Sequence, residues 1–244
     1  MSADGSGDSG KRTRAYQLGA LIVTMATVAT VLVAILNSGS TSELAPGKPV
    51  PGAAPALALL AGIPQHGVAL GNPRAPVTLV EFGDLQCPAC ALFATETLPA
   101  IVARYVRSGR VLLVFRAVAF IGRDSGRAAR VAYALGEQDR LWQFIELMYR
   151  NQGLENGSYV TDTYLRALAG AIPGVDIGAA LAAQDSPGVQ SQLREAAAEA
   201  RRLGVTSTPS FLLSHTGGQP RRFSPAGLDS GSFSEALDRL LATG

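Results

Sequence analysis

The only two cysteines of this chain stand three positions apart, as Cys87-Pro88-Ala89-Cys90. They follow an apolar, strand-like run and open an apolar-periodic helix. A thiolate needs stabilisation to act as a nucleophile near neutral pH, and a helix N-terminus offers unpaired N–H donors and the positive end of the macrodipole. Cys87 is therefore expected to be the attacking thiol. Cys90, one turn further on, can reach back and close a small-ring disulfide, so the pair can take up or release two electrons without a cofactor. Two plainer readings compete. A structural bridge here would close a tiny loop, which constrains the unfolded chain little. Half of a zinc site would need more ligands, and the chain offers no third Cys and only His66 and His215, far apart in sequence. Redox chemistry with no metal is the reading that these facts favour.

The elements around the pair are those of an α/β protein. Val77 to Phe82 is β-rich and apolar on both faces, as in a central strand covered on both sides. Cys87 to Arg107 predicts a helix, kinked at Pro99, which cannot donate to the preceding turn. Val111 to Val118 predicts a second central strand. Strand, crossover helix and strand in this order place the helix start at the carboxyl end of a parallel pair, where α/β proteins build their sites. Between Gly122 and Arg202 the pattern is helical throughout: Ser125–Leu135, Arg140–Asn151, Val160–Ala171, Val175–Ala183 and Gly188–Leu203. This predicts a helical subdomain, about residues 122–187, inserted into the α/β core, with nothing in it beyond helix-forming pattern to suggest chemistry. After Thr208-Pro209-Ser210 come a strand at Phe211–Leu213, a Gly217-Gly218 turn, a strand at Arg221–Phe223 and a last helix, Ser232–Ala242, capped by Ser232.

With 244 residues and 47% hydrophobic content, the chain can bury a sizeable core without disulfide staples. The net charge of +2 is small, and the densest basic run is Lys11-Arg12-Thr13-Arg14. That argues against a nucleic acid partner. Leu18 to Leu36 carries no charge, and as a helix it would rise about 28 Å, enough for the hydrocarbon core of a bilayer. A cleaved signal peptide is the alternative, with Ser38-Gly39-Ser40 as the place to cut, but the apolar stretch exceeds a signal's usual length. Lys11, Arg12 and Arg14 flank the N-terminal side, so the short N-terminus is expected inside the cell and the rest outside. The expected organisation is a cytoplasmic N-terminus (1–17), a transmembrane helix (18–36), a Pro/Gly/Ala-rich tether (37–66) with a helical turn at Leu57–Ala61, and a catalytic domain (67–244).

The run Phe82-Gly83-Asp84-Leu85-Gln86-Cys87-Pro88-Ala89-Cys90, the helical insertion and Thr208-Pro209 resemble the DsbA-like thiol:disulfide oxidoreductases, in particular the membrane-anchored kind of Gram-positive and actinobacterial cell envelopes. The likeness covers about residues 62–244. It implies a thioredoxin fold with a helical insert, in which Cys87 forms mixed disulfides with exported proteins and Cys90 resolves them. Pro209 matches the family's cis-proline, whose alternative is an ordinary trans turn. A cis bond there would expose the Thr208 backbone for strand-like pairing with substrate, beside Pro88 and Ala89. Glu81 stands where the family carries a buried acid. In an apolar strand its carboxyl is expected to titrate high and to exchange a proton with Cys90, unless it reaches solvent at the strand end. Asp84 is read as a turn residue without a role. Many family members have His where this chain has Ala89, which removes a donor to the thiolate and leaves the direction of electron flow open. The expected function is oxidation of cysteine pairs in exported proteins, with a membrane redox partner and no cofactor. An isomerase or reductase of the same fold, or a metallochaperone using the Cys pair with His66 or His215, are the alternatives.

Overall fold

The structure, a computed structural model, describes residues 44–243. The expected N-terminus, the membrane span and the first residues of the tether lie outside the described residues. Six strands form one mixed sheet: β1 (Gln65–His66), β2 (Ala69–Leu70), β3 (Val77–Gly83), β4 (Val111–Ala117), β5 (Ser210–His215) and β6 (Arg221–Phe223), in the order β1-β2-β4-β3-β5-β6. Only β3 and β4 run parallel, and every other pairing is antiparallel. Glu81 therefore lies across from Phe115 on β4 and Phe211 on β5.

Strand alternation divides β3 between two layers. Val77 and Leu79 join the larger core, which contains Cys90, Phe93, Phe115 and Phe211. Val80 and Phe82 pack on the other side with Leu212, Ala200 and Val205. Coverage on both faces is why the strand is apolar almost throughout.

Helix α1 (Ala53–Leu60) corrects the expected tether. Val50, Ala56, Leu60 and Ile63 are buried in the core, and Arg107 donates to the carbonyls of Ala61 (2.9 Å) and Leu59 (2.8 Å). The Ala- and Leu-rich stretch gains more from covering apolar surface than from solvent, and Pro55 falls in the first helical turn, where a missing N–H costs nothing.

Helix α2 (Pro88–Val106) begins at the cysteine pair and is the one described helix long and apolar enough by composition to cross a membrane, yet half of it is buried within this domain. Its α-helical path opens into π turns at Phe93–Thr97 and Val102–Val106. The first of these ends with Leu98 N–H donating to Phe93 O, just before Pro99. The expected kink is thus taken up as a widened turn, which relieves the clash that the proline ring would make with the preceding carbonyl.

The insertion comprises α3 (Arg123–Gly136), α4 (Leu141–Arg150), α5 (Asp162–Gly170), α6 (Ile177–Ala183) and α7 (Pro187–Arg202). Thr161, Asp176 and Ser186 cap three of them by accepting from Tyr164, Ala179 and Val189 N–H. α4 packs against α1, α2 and α3, and α7 returns to cover the second sheet face at β4. The last helix, α8 (Ser230–Leu241), starts earlier than expected. Asp229 is its cap, and Ser232 is the donor, giving its N–H and its hydroxyl to the carboxylate. Phe93, Phe211, Phe223 and Phe233 join α2, β5, β6 and α8 with ring centroids 4.8 to 5.3 Å apart.

Candidate active site

β3 ends at Gly83, and the chain turns through Asp84, Leu85 and Gln86 before α2. The turn is held by one buried carboxylate. Asp84 accepts from Gln86 N–H (2.9 Å), Phe120 N–H (2.8 Å) and Ile121 N–H (3.0 Å), while its carbonyl accepts from Cys87 N–H (3.0 Å). Asp84 is therefore the brace between this turn and the loop after β4, a part that its reading as a plain turn residue did not include.

The insertion grips the same turn. The Gln152 amide donates to the carbonyls of Leu85 (3.0 Å) and Cys87 (3.2 Å). Gln86 donates to Ser125 Oγ (2.9 Å) and accepts from Asn156 N–H (2.9 Å). The helical subdomain thus reaches the site, contrary to the expectation that it carries nothing beyond helix pattern.

Cys87 caps α2 in extended backbone conformation, and Pro88 takes the first helical position, where no N–H is needed. Both thiols are free. Cys90 is fully buried and Cys87 is 8% exposed. The Cys87 thiol donates to the Thr208 carbonyl at 3.4 Å, and the Thr208-Pro209 bond is cis. Thr208 and Pro209 join Ala89, Phe223 and Leu228 around a cleft of about 380 Å³. Pro88 is exposed at the surface beside it, and Ala89 is half-buried.

The two thiols are driven apart electrostatically. A hydrogen bond from Cys90 does most to hold Cys87 down to about 6, helped by Thr208 and by the backbone N–H groups of Cys90 and Ala89, against the opposing effect of burial. Burial, the same bond seen from the other side and the nearby Glu81 push Cys90 well above the ordinary thiol range. Glu81 is 4% exposed and its Oε1 has no partner. Burial first, then Glu146 and Cys87, raise its carboxyl to about 8. It does not reach solvent, so the strand-end alternative is excluded.

The structure does not bring the two histidines to the pair. His215 pairs with Val77 at the far end of β3, about 20 Å of strand from Gly83. His66 lies on β1, beyond β2 and β4. Among the described residues, no group of three or more His, Cys, Asp or Glu is placed to hold a metal ion. Residues that sequence reasoning missed include Asp84, Gln152, Glu146 and Tyr149. For Glu146 a signal existed, because Trp142, Ile145, Glu146 and Tyr149 fall on one stripe of α4.

A dithiol whose members differ this much in acidity, at a helix start on a sheet of this order, can exchange disulfides with an incoming thiol. Fold and site together define a protein-disulfide oxidoreductase. The family model described as Thioredoxin matches residues 64–223, and the chain belongs to that family, among its DsbA-like thiol:disulfide oxidoreductases. A relative from Bacillus cereus, named a probable disulfide bond formation protein D, is 30% identical over 175 residues, covering 70% of this chain and 77% of its own length. In fold the chain is similar to oxidised BdbD of Bacillus subtilis, with a TM-score of 0.64 at 24% identity over 72% of this chain and 93% of that one. The likeness to alpha-DsbA1 of Wolbachia pipientis has a TM-score of 0.62 at 19% identity, over 75% and 93% of the two chains.

Proposed function

We propose that this protein oxidises cysteine pairs of exported proteins outside the cytoplasmic membrane. The observation that carries this reading is the depressed pKa of Cys87, held to about 6. A pair that stabilises its reduced form as a thiolate is correspondingly eager to accept electrons. The name of the Bacillus cereus relative, a disulfide bond formation protein, is consistent with that direction.

A substrate thiolate attacks Cys87 Sγ of the Cys87–Cys90 disulfide. The bond between the cysteines breaks, Cys90 leaves as a thiolate, and protonated Glu81 supplies the proton that its raised pKa demands. The second substrate thiolate attacks the substrate sulfur of the mixed disulfide, and Cys87 departs as a stable thiolate. The Thr208 backbone offers strand-like pairing to the extended substrate, Pro88 and Ala89 bound the surface around the sulfur, and Pro209 lines the cleft opposite. A membrane redox partner then returns the dithiol to the disulfide. The apolar run at residues 18–36, with its basic N-terminal flank, supports anchoring to the membrane with residues 1–17 inside.

The deciding measurement is the equilibrium of the pair with glutathione, together with oxidation of a reduced, unfolded two-cysteine protein. An oxidase equilibrates well on the oxidising side of the glutathione couple and forms the substrate disulfide stoichiometrically. A potential as reducing as that of thioredoxin, about −270 mV, would instead make it a reductase.

A further inference from the structure

We infer that Glu146 is a positioning residue for the exchange reaction: from α4, its carboxylate keeps on Glu81 the proton that the departing Cys90 takes. The inference rests on the oxidase reading and deepens it.

Glu146 is a costly residue for its place. It is fully buried on the apolar stripe of α4, where a Leu or Met would pack without loss. One oxygen meets Arg150 at 3.3 Å, and the other has no partner. A pair with a residue of its own helix offsets only part of the desolvation, so Glu146 has no evident structural purpose there. The same stripe comes against the sheet beside Glu81. Tyr149 places its hydroxyl so close to Gly83 that a Cβ on that glycine would stand 2.7 Å from it, and Gly83 shares a face of β3 with Glu81, two residues earlier. That hydroxyl also lacks a partner, as does Glu81 Oε1. Three buried polar groups thus converge from β3 and α4 on the space beneath Cys90.

The charged surroundings are few. β3 contributes Glu81, the turn after it Asp84, α2 the two cysteines, and α4 itself Tyr149 and Arg150. α1 has no titratable residue, and Glu96 of α2 is exposed. Tyr133 of α3 and Tyr164 of α5 are engaged, with the Ala117 N–H and the Asn151 carbonyl respectively. Arg127 and Arg130 of α3 pair with Asp162 and Asp185, Asp124 accepts from Val160 N–H, and Arg123 of α3 and Arg166 of α5 are exposed. Arg150 is thus the cation against Glu146, and Glu81 the carboxyl that feels its charge. Burial raises Glu146 to about 7, with Arg150 opposing, and Glu81 to about 8. Above the lower of these values Glu146 is an anion, and its charge retains the last proton of the pair on Glu81. The transfer that follows is balanced: Glu81 carboxylic acid and Cys90 thiolate become Glu81 carboxylate and Cys90 thiol.

The test is the pH profile for reduction of the enzyme's disulfide by a two-cysteine peptide, compared at equal concentrations of peptide thiolate, in the parent protein and in Glu146→Gln, Glu146→Asp, Arg150→Met and Glu81→Gln. In Glu146→Gln the alkaline limb moves to lower pH, and a shift of about one unit lowers the rate at pH 8 about fivefold. Glu146→Asp restores much of the limb, and the separately measured Cys87 titration stays where it was. Arg150→Met moves the limb in the same direction, because Glu146 then keeps its own proton and exerts no charge. A limb unmoved in folded Glu146→Gln, while Glu81→Gln abolishes it, overturns this inference alone. A limb indifferent to Glu81→Gln removes Glu81 from the mechanism and the oxidase scheme with it. If Glu146→Gln does not fold, carboxyl NMR of the reduced parent protein with labelled glutamate decides: interdependent titration of Glu81 and Glu146 supports the pair, and independent titration refutes it.

Discussion

The Cys87 thiol donates to the carbonyl of Thr208 at 3.4 Å, across 121 residues of sequence. This one contact joins the start of α2 to the entry of β5, and it brings the surface proposed to present substrate to the sulfur that the substrate thiolate attacks. Thr208 also lowers the pKa of Cys87 through its side chain. Thr208→Val is therefore expected to raise the thiolate titration of Cys87 above about 6, by up to about one unit, and to make the pair less oxidising. Ultraviolet titration of the thiolate checks the first outcome. The glutathione equilibrium checks the second, and a change in neither would leave Thr208 with only its backbone role.

Position 89 tests the family departure. The Ala89 N–H already stabilises the thiolate, and an imidazole there would add a further donor. Ala89→His is expected to lower the Cys87 titration and to shift the potential in the oxidising direction, each unit of thiol acidity being worth up to about 1.4 kcal/mol. An unchanged potential would mean that the side chain at this position points away from the sulfur.

Much of this site was legible because its parts are local. Cys87, Cys90 and the helix they open stand within a few residues of one another, and Glu81 lies on the strand immediately before. What could not be read depends on distant partners. Asp84 looks like any turn aspartate until Phe120 and Ile121 bring their N–H groups to it from 36 and 37 residues away. The segment at 50–63 is rich in Pro, Gly and Ala and has the composition of a tether, yet α4 and α2 supply the apolar surface on which it folds. The start of α8 was misplaced by two residues because Asp229 and Ser232 are both good caps, and only geometry decides which of them accepts. Glu146 was readable in principle, as an acid on an apolar stripe, but its meaning required the knowledge that the stripe faces Glu81.

The acidity of Cys87 also makes the stability of the reduced protein depend on pH. In the unfolded chain this thiol loses its proton near its ordinary value of about 9, and in the folded chain near 6. Between these values the unfolded state binds more protons, so the folded reduced form gains stability as pH rises from 6 to 9 and loses it as pH falls through 6. Glu81 works in the opposite sense between 4.5 and 8, but burial, the largest cause of its shift, is common to both redox forms. The difference in unfolding free energy between reduced and oxidised protein is thus expected to move in favour of the reduced form from pH 6 to 9. Denaturant titrations of both forms measure it, and Cys87→Ser, which has no disulfide form, should lack the gain in stability of the reduced parent from pH 6 to 9.

Asp84 holds three backbone N–H groups with one buried carboxylate. One of its oxygens accepts from Gln86, and the other from both Phe120 and Ile121. Asp84→Asn keeps the shape but offers a single accepting oxygen, so at least one of these N–H groups must face an amide donor inside the protein. A loss of about 2–3 kcal/mol in unfolding free energy is expected. The loop around Phe120 should also show faster amide exchange, while the amides of β3 stay protected. A stability within about 0.5 kcal/mol of the parent would show that the turn is held by Gln152 and Gln86 instead.

Gly83 is the last residue of β3, and it is glycine because two rings close over it. A Cβ at this position would stand 2.6 Å from Phe115 Cε2 and 2.7 Å from the Tyr149 hydroxyl. Neither is the end of a flexible chain, because both rings are buried in the core. Gly83→Ala therefore has to push β4 or α4 away from the strand, at an expected cost of about 1–3 kcal/mol. The displacement falls directly under the cysteine pair, so the Cys87 titration should shift along with the loss of stability. Tyr149→Phe in the same chain removes the nearer polar atom and should recover part of that loss, while Phe115 still limits the recovery. A Gly83→Ala protein with unchanged melting and thiol titration would show that the sheet can open at this end. The tight placement of Tyr149 against Gly83, and with it the route by which α4 reaches the active site, would then have to be abandoned.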